Sequence, residues 1–241
     1  MELHAAGLHE NPFLSNGDRL VFFSYTAQEK AWEFFDQTLQ HNTGLGLFQG
    51  PQYSGKSTVI RQYVRQTSED VAEAVVDGEG ANATQLLESI LKNFGYQHEF
   101  DSVNELMSMV TVFIKHQAAS SHAPILFVEN THAMNPNAMN ALCDLASVRV
   151  REKYALRIIL ASDRSIEYIA SAPAMQCIAK RLTGNFHLSP LTIDETSDYL
   201  YAKMRHGGCI DPDFVFPDEV CNELHRASGG WPGVLDRLAL L

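Results

Sequence analysis

Gly50-Pro51-Gln52-Tyr53-Ser54-Gly55-Lys56-Ser57 is a full match to the pattern GxxxxGK[ST]. Residues of these types at this spacing cradle phosphate. The glycines let the backbone curl so that successive N–H groups, and the N-terminus of the helix that follows, point at a β-phosphate. Lys56 reaches the β- and γ-oxygens, and the Ser57 hydroxyl ligates Mg²⁺. The candidate nucleotide-binding set is therefore Gly50, Pro51, Gln52, Tyr53, Ser54, Gly55, Lys56, Ser57 and Thr58, with ATP or ADP and Mg²⁺ as the implied ligands. Such a loop needs acidic residues at the end of another buried strand to hold the metal shell and position water. Ile125-Leu126-Phe127-Val128-Glu129-Asn130 is the candidate, with Glu129 as a metal-shell carboxylate alongside Ser57. Asn130 stands where the carboxylate that polarises attacking water usually stands. An amide orients water but cannot take its proton, so general-base assistance of roughly 10²- to 10⁴-fold is missing. The expectation is nucleotide binding with slow hydrolysis; a plain strand-end turn without a metal role is the other reading of Glu129-Asn130.

A phosphate loop works only between a strand and a helix, and the flanking periodicities supply both. Thr26 to Gln40 places Trp32, Phe35 and Leu39 on one helical face, Gly44 to Phe48 is a short apolar strand, and a helix runs from Lys56 to about Arg65. Further strands are predicted at Ala72 to Val76, Ile125 to Val128, Leu156 to Ala161 and Phe186 to Leu188. Helices are predicted at Ala83 to Phe94, Val103 to Lys115 and Pro136 to Val150. Strands alternating with helices, and apolar throughout, predict a mostly parallel sheet covered on both faces. After Pro190 the pattern turns wholly helical, at Ile193 to Met204, Asp218 to Ala227 and Pro232 to Leu241, with Gly207-Gly208 and Gly229-Gly230 as helix ends. The expected division is an α/β core over residues 1–190 and a helical lid over 191–241, whose last helix stops uncapped on Ala239-Leu240-Leu241 and reads as truncated.

The chain has 241 residues, of which 45% are hydrophobic and 20% charged, enough to bury a real core. A net charge of -11 gives no global pull toward nucleic acid or anionic lipid, so contact with either needs a local basic patch. Cys143, Cys177, Cys209 and Cys221 form no CxxC pair and are expected to be reduced, mostly buried thiols. Met1-Glu2-Leu3-His4 does not open a secretory leader and no apolar run approaches a membrane span, so the location is expected to be cytoplasmic. The ten histidines, including His4, His9, His116, His122 and His132, form no HxxxH or HExxH pattern and read as surface or partly buried residues. Ser54 lies in no GxSxG context, and Phe22, Phe23, Tyr25, Trp32, Phe34 and Phe35 have helical spacing with Lys30 the one basic residue among them and read as core rather than a base-stacking platform.

Taken in order, the motifs resemble the AAA+ ATPases of the ExeA/GspA secretion type, a group that includes MshM-like and DamX-like proteins. Gly7-Leu8-His9-Glu10-Asn11-Pro12-Phe13 is similar to the family's GLxxxPF opening, which by resemblance puts Pro12 and Phe13 near the adenine. Glu129-Asn130-Thr131-His132-Ala133-Met134 stands where the family has a DEAHxL-like run, and by resemblance His132 sits near the nucleotide, packing of the strand end being the other reading. His187-Leu188-Ser189-Pro190-Leu191-Thr192 with Asp194-Glu195-Thr196 is similar to the approach into the family's lid, and Gly229-Gly230-Trp231-Pro232 to the turn within it. The resemblance implies a P-loop NTPase sheet of the ASCE class in order 5-1-4-3-2, followed by the lid. It also implies catalytic roles for Lys56, Glu129 and Asn130, a sensor at Ser162 and an arginine finger at Arg181 acting on a neighbouring subunit; a turn-capping Ser and a solvated Lys180-Arg181 pair are the other readings. Where the family carries an Arg directly after the lid proline, this chain has Gly233, and Arg237 one turn later is a candidate substitute. The implied activity is a slow ATPase or nucleotide-dependent switch in the assembly of an envelope, secretion or cell-wall complex. Its implied partners are ATP, further copies of itself and machinery proteins, with any membrane segment outside these residues and nucleic acid disfavoured. A DNA-linked AAA+ regulator of the TniB type and a non-hydrolysing scaffold are the alternatives.

Overall fold

The structure is a computed structural model and describes residues 8–9, 11–14, 23–67, 70–96, 102–120, 122–165 and 175–240. Met1 to Gly7, Glu10, Phe22 and Leu241, named above, lie outside them. The chain divides into two compact units, one made of Met1–Lys30, Gln52–Gln62 and Leu188–Leu241, the other of Ala31–Pro51 and Tyr63–His187. The helical C-terminal part is grouped with the N-terminal segment and with the loop and helix that carry the phosphate motif.

The larger unit is built on a five-stranded sheet of β1 (Leu45–Gln49), β2 (Glu73–Asp77), β3 (Ile125–Glu129), β6 (Arg157–Ser162) and β7 (Gly184–His187). Its order is β2-β3-β6-β1-β7 and every pair is parallel. Counting only these five strands along the chain, this is the 5-1-4-3-2 sheet of a P-loop NTPase. β1 and β3 are buried at every position, which is why they read as unbroken apolar runs rather than alternating ones. One face packs on α3 (Ala83–Asn93), α4 (Val103–Ala119) and α5 (Pro136–Ala146) through Leu86, Ile90, Leu106, Val110 and Leu142. The other face meets an aromatic cluster in which Phe35, on the helix α1 (Thr26–Gln40), lies 5.1 Å from Phe48 and 5.8 Å from Phe127. Trp32 and Phe34, both half-buried, join the same cluster through Tyr63 and Phe186, while Phe35 is fully buried.

Two local features depart from expectation. The helix predicted to reach Val150 ends at Ala146, and an antiparallel hairpin of β4 (Arg149–Val150) and β5 (Lys153–Tyr154) follows. Its two turn residues, Arg151 and Glu152, both adopt positive φ, at 48° and 65°. That geometry normally announces itself with Asn or Gly, so an Arg-Glu pair hides the turn. The second departure is covalent: Cys143 on α5 and Cys177 on α6 (Gln176–Arg181) are joined as a disulfide, whereas Cys209 and Cys221 are free and buried, as expected. Spacing along the chain does not reveal that two helices bring these thiols together.

The smaller unit holds α2 (Lys56–Val64) for most of its length, α7 (Ile193–His206), α8 (Pro212–Val215), α9 (Asp218–Ser228) and α10 (Pro232–Ala239). Thr192 and Glu195 cap α7 reciprocally, each accepting the other's backbone N–H. Glu195 also accepts from the N–H of Thr26 at 2.9 Å, tying α7 to the start of α1. Gly230 is required by a close approach, because a Cβ there would lie 2.5 Å from the Leu191 carbonyl. Its own carbonyl accepts the Leu191 N–H at 2.9 Å. Among the described residues no helix is long and apolar enough to cross a membrane.

Candidate nucleotide site

β1 delivers the chain into the glycine-rich loop. At its end, Gln49 is fully buried and bonds on both sides, donating to the Arg164 carbonyl at 2.6 Å and accepting from Asn185 at 3.2 Å. The Gly50 N–H donates to the Ser162 carbonyl at 3.2 Å, so the first residue of the loop is pinned to the neighbouring strand tip. Tyr53 and Gly55 adopt positive φ, at 65° and 94°, giving the reversal that turns backbone N–H groups inward. The Gly55 carbonyl accepts the Val59 N–H at 3.0 Å and starts α2, leaving Lys56, Ser57 and Thr58 on its first turn with Ser57 exposed. Ser54 Oγ is buried with no hydrogen-bond partner among protein atoms.

Tyr53 shows what the sequence left unexplained about Gly233. The Gly233 N–H donates to the Tyr53 carbonyl at 2.9 Å, and a Cβ at 233 would stand 2.8 Å from that oxygen. Any side chain at 233 would therefore push the glycine-rich loop aside. Arg237, one turn further on, lays its guanidinium 4.8 Å from the centre of the Tyr53 ring.

At the end of β3, Glu129 pairs in register with Asp77 at the end of β2. Glu129 is 8% exposed and its Oε1 has no hydrogen-bond partner, while its carbonyl accepts the Gly78 N–H at 2.8 Å. Asn130 is left-handed, with φ 49°, and its Nδ2 donates to Asp77 Oδ1 at 2.9 Å. The same oxygen accepts the Glu79 N–H at 2.9 Å. The Asn130 amide, expected at the water-polarising position, is thus held by a carboxylate from the adjacent strand, a partner the sequence reading did not name. His132, in the turn after β3, lies 3.1 Å from Asp163, directly after the end of β6; this is the strand-end packing reading. Ser162 closes β6 opposite Gln49, fully buried, its Oγ accepting from the Arg164 N–H at 3.0 Å.

Arg181, Phe13 and Pro12, all expected at the site, are buried. Arg181 is 3% exposed and its guanidinium donates to the carbonyls of Thr43, Gly44, Ala146 and Leu156. With four hydrogen bonds made inside its own subunit, this arginine ties α5, β6 and the approach to β1 together and is not a solvated charge. Burial lowers its pKa to about 10, with Arg157 and Arg149 adding repulsion against a favourable contribution from Tyr154. Phe13, expected beside the adenine, is 1% exposed and packs edge-on against Phe216 at 5.8 Å, within a cluster that includes Leu200, Met204 and Cys221. Its ring belongs to the core of the helical unit, and Pro12 beside it is buried as well.

A glycine-rich loop between the first strand and helix of a 5-1-4-3-2 parallel sheet, an acidic strand end and a helical C-terminal unit define an AAA-type P-loop NTPase. The chain belongs to the AAA domain family, whose profile matches residues 39–169. It is 23% identical over 231 residues to general secretion pathway protein A of Aeromonas hydrophila, a match that covers 95% of this chain and 42% of that protein. The kinship with ExeA/GspA-type AAA+ ATPases is thereby shown, and the chain spans less than half of that relative's length. Among solved structures it is similar to Aeropyrum pernix ORC2 in its ADP form, with a TM-score of 0.70 and 13% identity over 96% of this chain and 65% of that one. It is also similar to Cdc6p of Pyrobaculum aerophilum, with a TM-score of 0.66 and 12% identity over 96% and 63% of the two chains. Domain III of the Thermotoga maritima replication initiation protein DnaA matches with a TM-score of 0.58 and 13% identity over 91% and 84%. At these identities the structural likenesses speak to the fold.

Proposed function

We propose that this AAA domain binds ATP and ADP with Mg²⁺ and works as a nucleotide-dependent switch of low intrinsic turnover, in the assembly of an envelope or secretion complex on the cytoplasmic side. One observation carries the low turnover: the Asn130 amide donates to Asp77 at 2.9 Å while the phosphate-cradling loop is complete. In this reading the loop N–H groups and Lys56 hold the phosphates, and Ser57 and Glu129 hold the cation. The buried Glu129 Oε1, without a hydrogen-bond partner, fits a carboxylate reserved for a cation or its water. The metal, when bound, neutralises charge on the phosphate oxygens. Ser162 and Asn130 position polar groups toward the reacting end, and neither supplies a base. A ligand that favours one of two conformations switches a protein without rapid turnover, since only differential affinity is required.

The likeness to an ADP form of an ORC2 protein supports an adenine nucleotide, and the kinship with a general secretion pathway protein supports the process. The test is equilibrium binding of a fluorescent ADP analogue together with phosphate release. Wild-type protein should bind in a Mg²⁺-dependent way with slow turnover, and Lys56→Ala should abolish both. Binding unaffected by Lys56→Ala would remove the site assignment, and turnover as fast as that of AAA+ enzymes with the water-polarising carboxylate would remove the switch reading.

A further inference from the structure

In a chain of net charge -11, residues 149–157 concentrate Arg149, Arg151, Lys153 and Arg157 against Glu152 alone. Within the larger unit, the β4–β5 hairpin, the start of β6 and the end of α4 enclose a cavity of about 270 Å³, whose lining combines Arg151, Lys153 and Arg157 with the small apolar Ala118, Ala119 and Ala155. The cavity sits where β6 begins, whereas the Gly50 N–H bonds to Ser162 where that strand ends. Extended chain from Arg157 to Ser162 spans roughly 17 Å, so this is not the glycine-rich loop seen from another side.

The cations of this cavity lack a counter-charge. Among the described residues the ion pairs lie elsewhere, at Asp163, Asp236 and Glu223, and none of Arg149, Arg151, Lys153, Arg157 and Arg181 has a carboxylate partner. Arg157 is held in place, since its Nη1 donates to the carbonyls of His41 and Asn42 at 2.8 and 3.2 Å, while its Nε and Nη2 have no partner among those residues. Burial lowers the pKa of Arg157, and Arg157 and Arg149 both repel the buried Arg181. Cations withdrawn from water are ordinarily paired, so a fixed, partly buried arginine beside two further cations and an open cavity is an arrangement that an anion completes.

We propose that this cavity is a second anion site, separate from the glycine-rich loop, and that it binds the phosphoryl group of a small phosphomonoester. Charge and valence select the class. Arg151, Lys153 and Arg157 present three cations rich in N–H donors, which a phosphomonoester answers with nearly two negative charges and three acceptor oxygens, and a single carboxylate with one charge and two oxygens. Size limits the rest of the ligand, since the volume is just below the roughly 300–1,000 Å³ of pockets for drug-sized molecules and leaves room beside the phosphate for a short uncharged body against the alanines. A nucleotide base is disfavoured because the Tyr154 ring, the aromatic of the lining, already carries the guanidiniums of Arg149 at 4.3 Å and Arg181 at 4.1 Å. The phosphomonoester comes either from a free metabolite or from a phosphorylated side chain. The inference is independent of the nucleotide reading.

Titration calorimetry with glycerol 2-phosphate, inorganic phosphate, succinate and a short phosphoserine peptide tests it. Each titration is run on protein saturated with Mg²⁺-ADP and again on Lys56→Ala, so that the glycine-rich loop is filled in one case and disabled in the other. Glycerol 2-phosphate should bind in both backgrounds, more tightly than succinate, and should weaken with salt. The pair Arg151→Ser with Lys153→Ser should weaken it at least tenfold, with melting temperature and ADP binding unchanged. Ala119→Leu, at an exposed position, keeps every charge but narrows the cavity, and should weaken glycerol 2-phosphate more than inorganic phosphate. A peptide that binds at least tenfold more tightly than glycerol 2-phosphate supports the proposal with a phosphorylated side chain as the source, and one that binds equally or less supports it with a free metabolite. The proposal is overturned if neither phosphomonoester binds at millimolar concentration, if succinate binds as tightly, or if the Arg151–Lys153 variant binds as wild type does. It is equally overturned if a DNA duplex binds more tightly than either phosphomonoester and loses that affinity in the same variant, because the cations would then serve a nucleic-acid backbone.

Discussion

Cutting the Cys143–Cys177 bond should cost an amount of stability that follows from the length of chain it closes. The two cysteines lie 34 residues apart. Closing a loop of that length removes roughly 13 cal/mol/K of entropy from the unfolded chain, which near room temperature is about 4 kcal/mol of stabilisation. In a chain of this size each kcal/mol moves the melting temperature by about 2–4 °C, so the reduced protein should melt about 8–16 °C below the oxidised one. Residual structure in the reduced unfolded chain pulls the value toward the lower end. The assay is a pair of thermal melts with and without reductant, repeated on the double variant Cys143→Ser with Cys177→Ser, which should melt like the reduced protein and ignore the reductant. Thiol titration supplies the check on the premise. Denatured without reductant, the protein should expose two thiols, Cys209 and Cys221. Four thiols would refute the pairing itself. A bond shown to be cut that shifts the melt by less than about 2 °C would refute the entropy arithmetic. Cytosolic disulfides are uncommon, so the redox state of the protein in the cell also tests the proposed cytoplasmic placement.

Three further outcomes are expected. Arg181→Met strands four carbonyls that now accept hydrogen bonds and should destabilise the fold by roughly 3 kcal/mol or more, read as a lower denaturation midpoint, while phosphate release per folded molecule keeps its dependence on protein concentration. Asn130→Glu alone should raise turnover little, because the new carboxylate would face Asp77 where the amide now donates at 2.9 Å; adding Asp77→Asn should release it and raise turnover by tenfold or more, and no gain in the double variant would refute the reason given for slow hydrolysis. Burial raises the pKa of Glu73 to about 7, against which a hydrogen bond from Thr67 works only in part. The folded state therefore keeps a proton that the unfolded chain releases at its ordinary carboxylate pKa, so this group's stabilisation is present at acid pH and is lost as pH rises to about 7. Glu73→Gln should flatten that part of the stability-pH profile in denaturant titrations, and an unchanged slope would count against it.

The sheet was legible because β1, β3 and β6 are buried nearly throughout and so read as apolar runs no helix pattern could absorb. The phosphate loop was legible because its chemistry demands residue types at fixed spacing. Legibility failed where a role depends on what the fold brings together. The Lys180-Arg181 pair at a helix end looks the same in sequence whether it meets solvent, a neighbouring subunit or four buried carbonyls. Phe13 sits in a motif associated with adenine, yet its environment is set by Phe216 and Leu200, some two hundred residues away in sequence. Asp77 was passed over because a carboxylate at a strand end has no local signature; its meaning comes only from the register that sets β2 beside β3.

The departures from the family pattern fall into two local arrangements that substitute contact for chemistry. Tyr53 occupies a left-handed position that costs a residue with a side chain roughly 1–2 kcal/mol. Its carbonyl accepts from Gly233 and its ring lies under Arg237, two interactions that offset that cost. The family arginine is absent at 233 because a Cβ there would stand 2.8 Å from the Tyr53 oxygen. The loss of that arginine and the close backbone contact are therefore one structural choice. A phosphate that rearranges the loop at Tyr53 moves the acceptor of the Gly233 N–H, and so acts on the start of α10 directly rather than through a long side chain. At the strand end, Asp77 engages Asn130 in the same manner, holding a group that cannot remove a proton. On the proposed reading, both arrangements spare the phosphate-cradling loop and leave no proton acceptor at Asn130, which is the combination a switch requires and a fast ATPase does not.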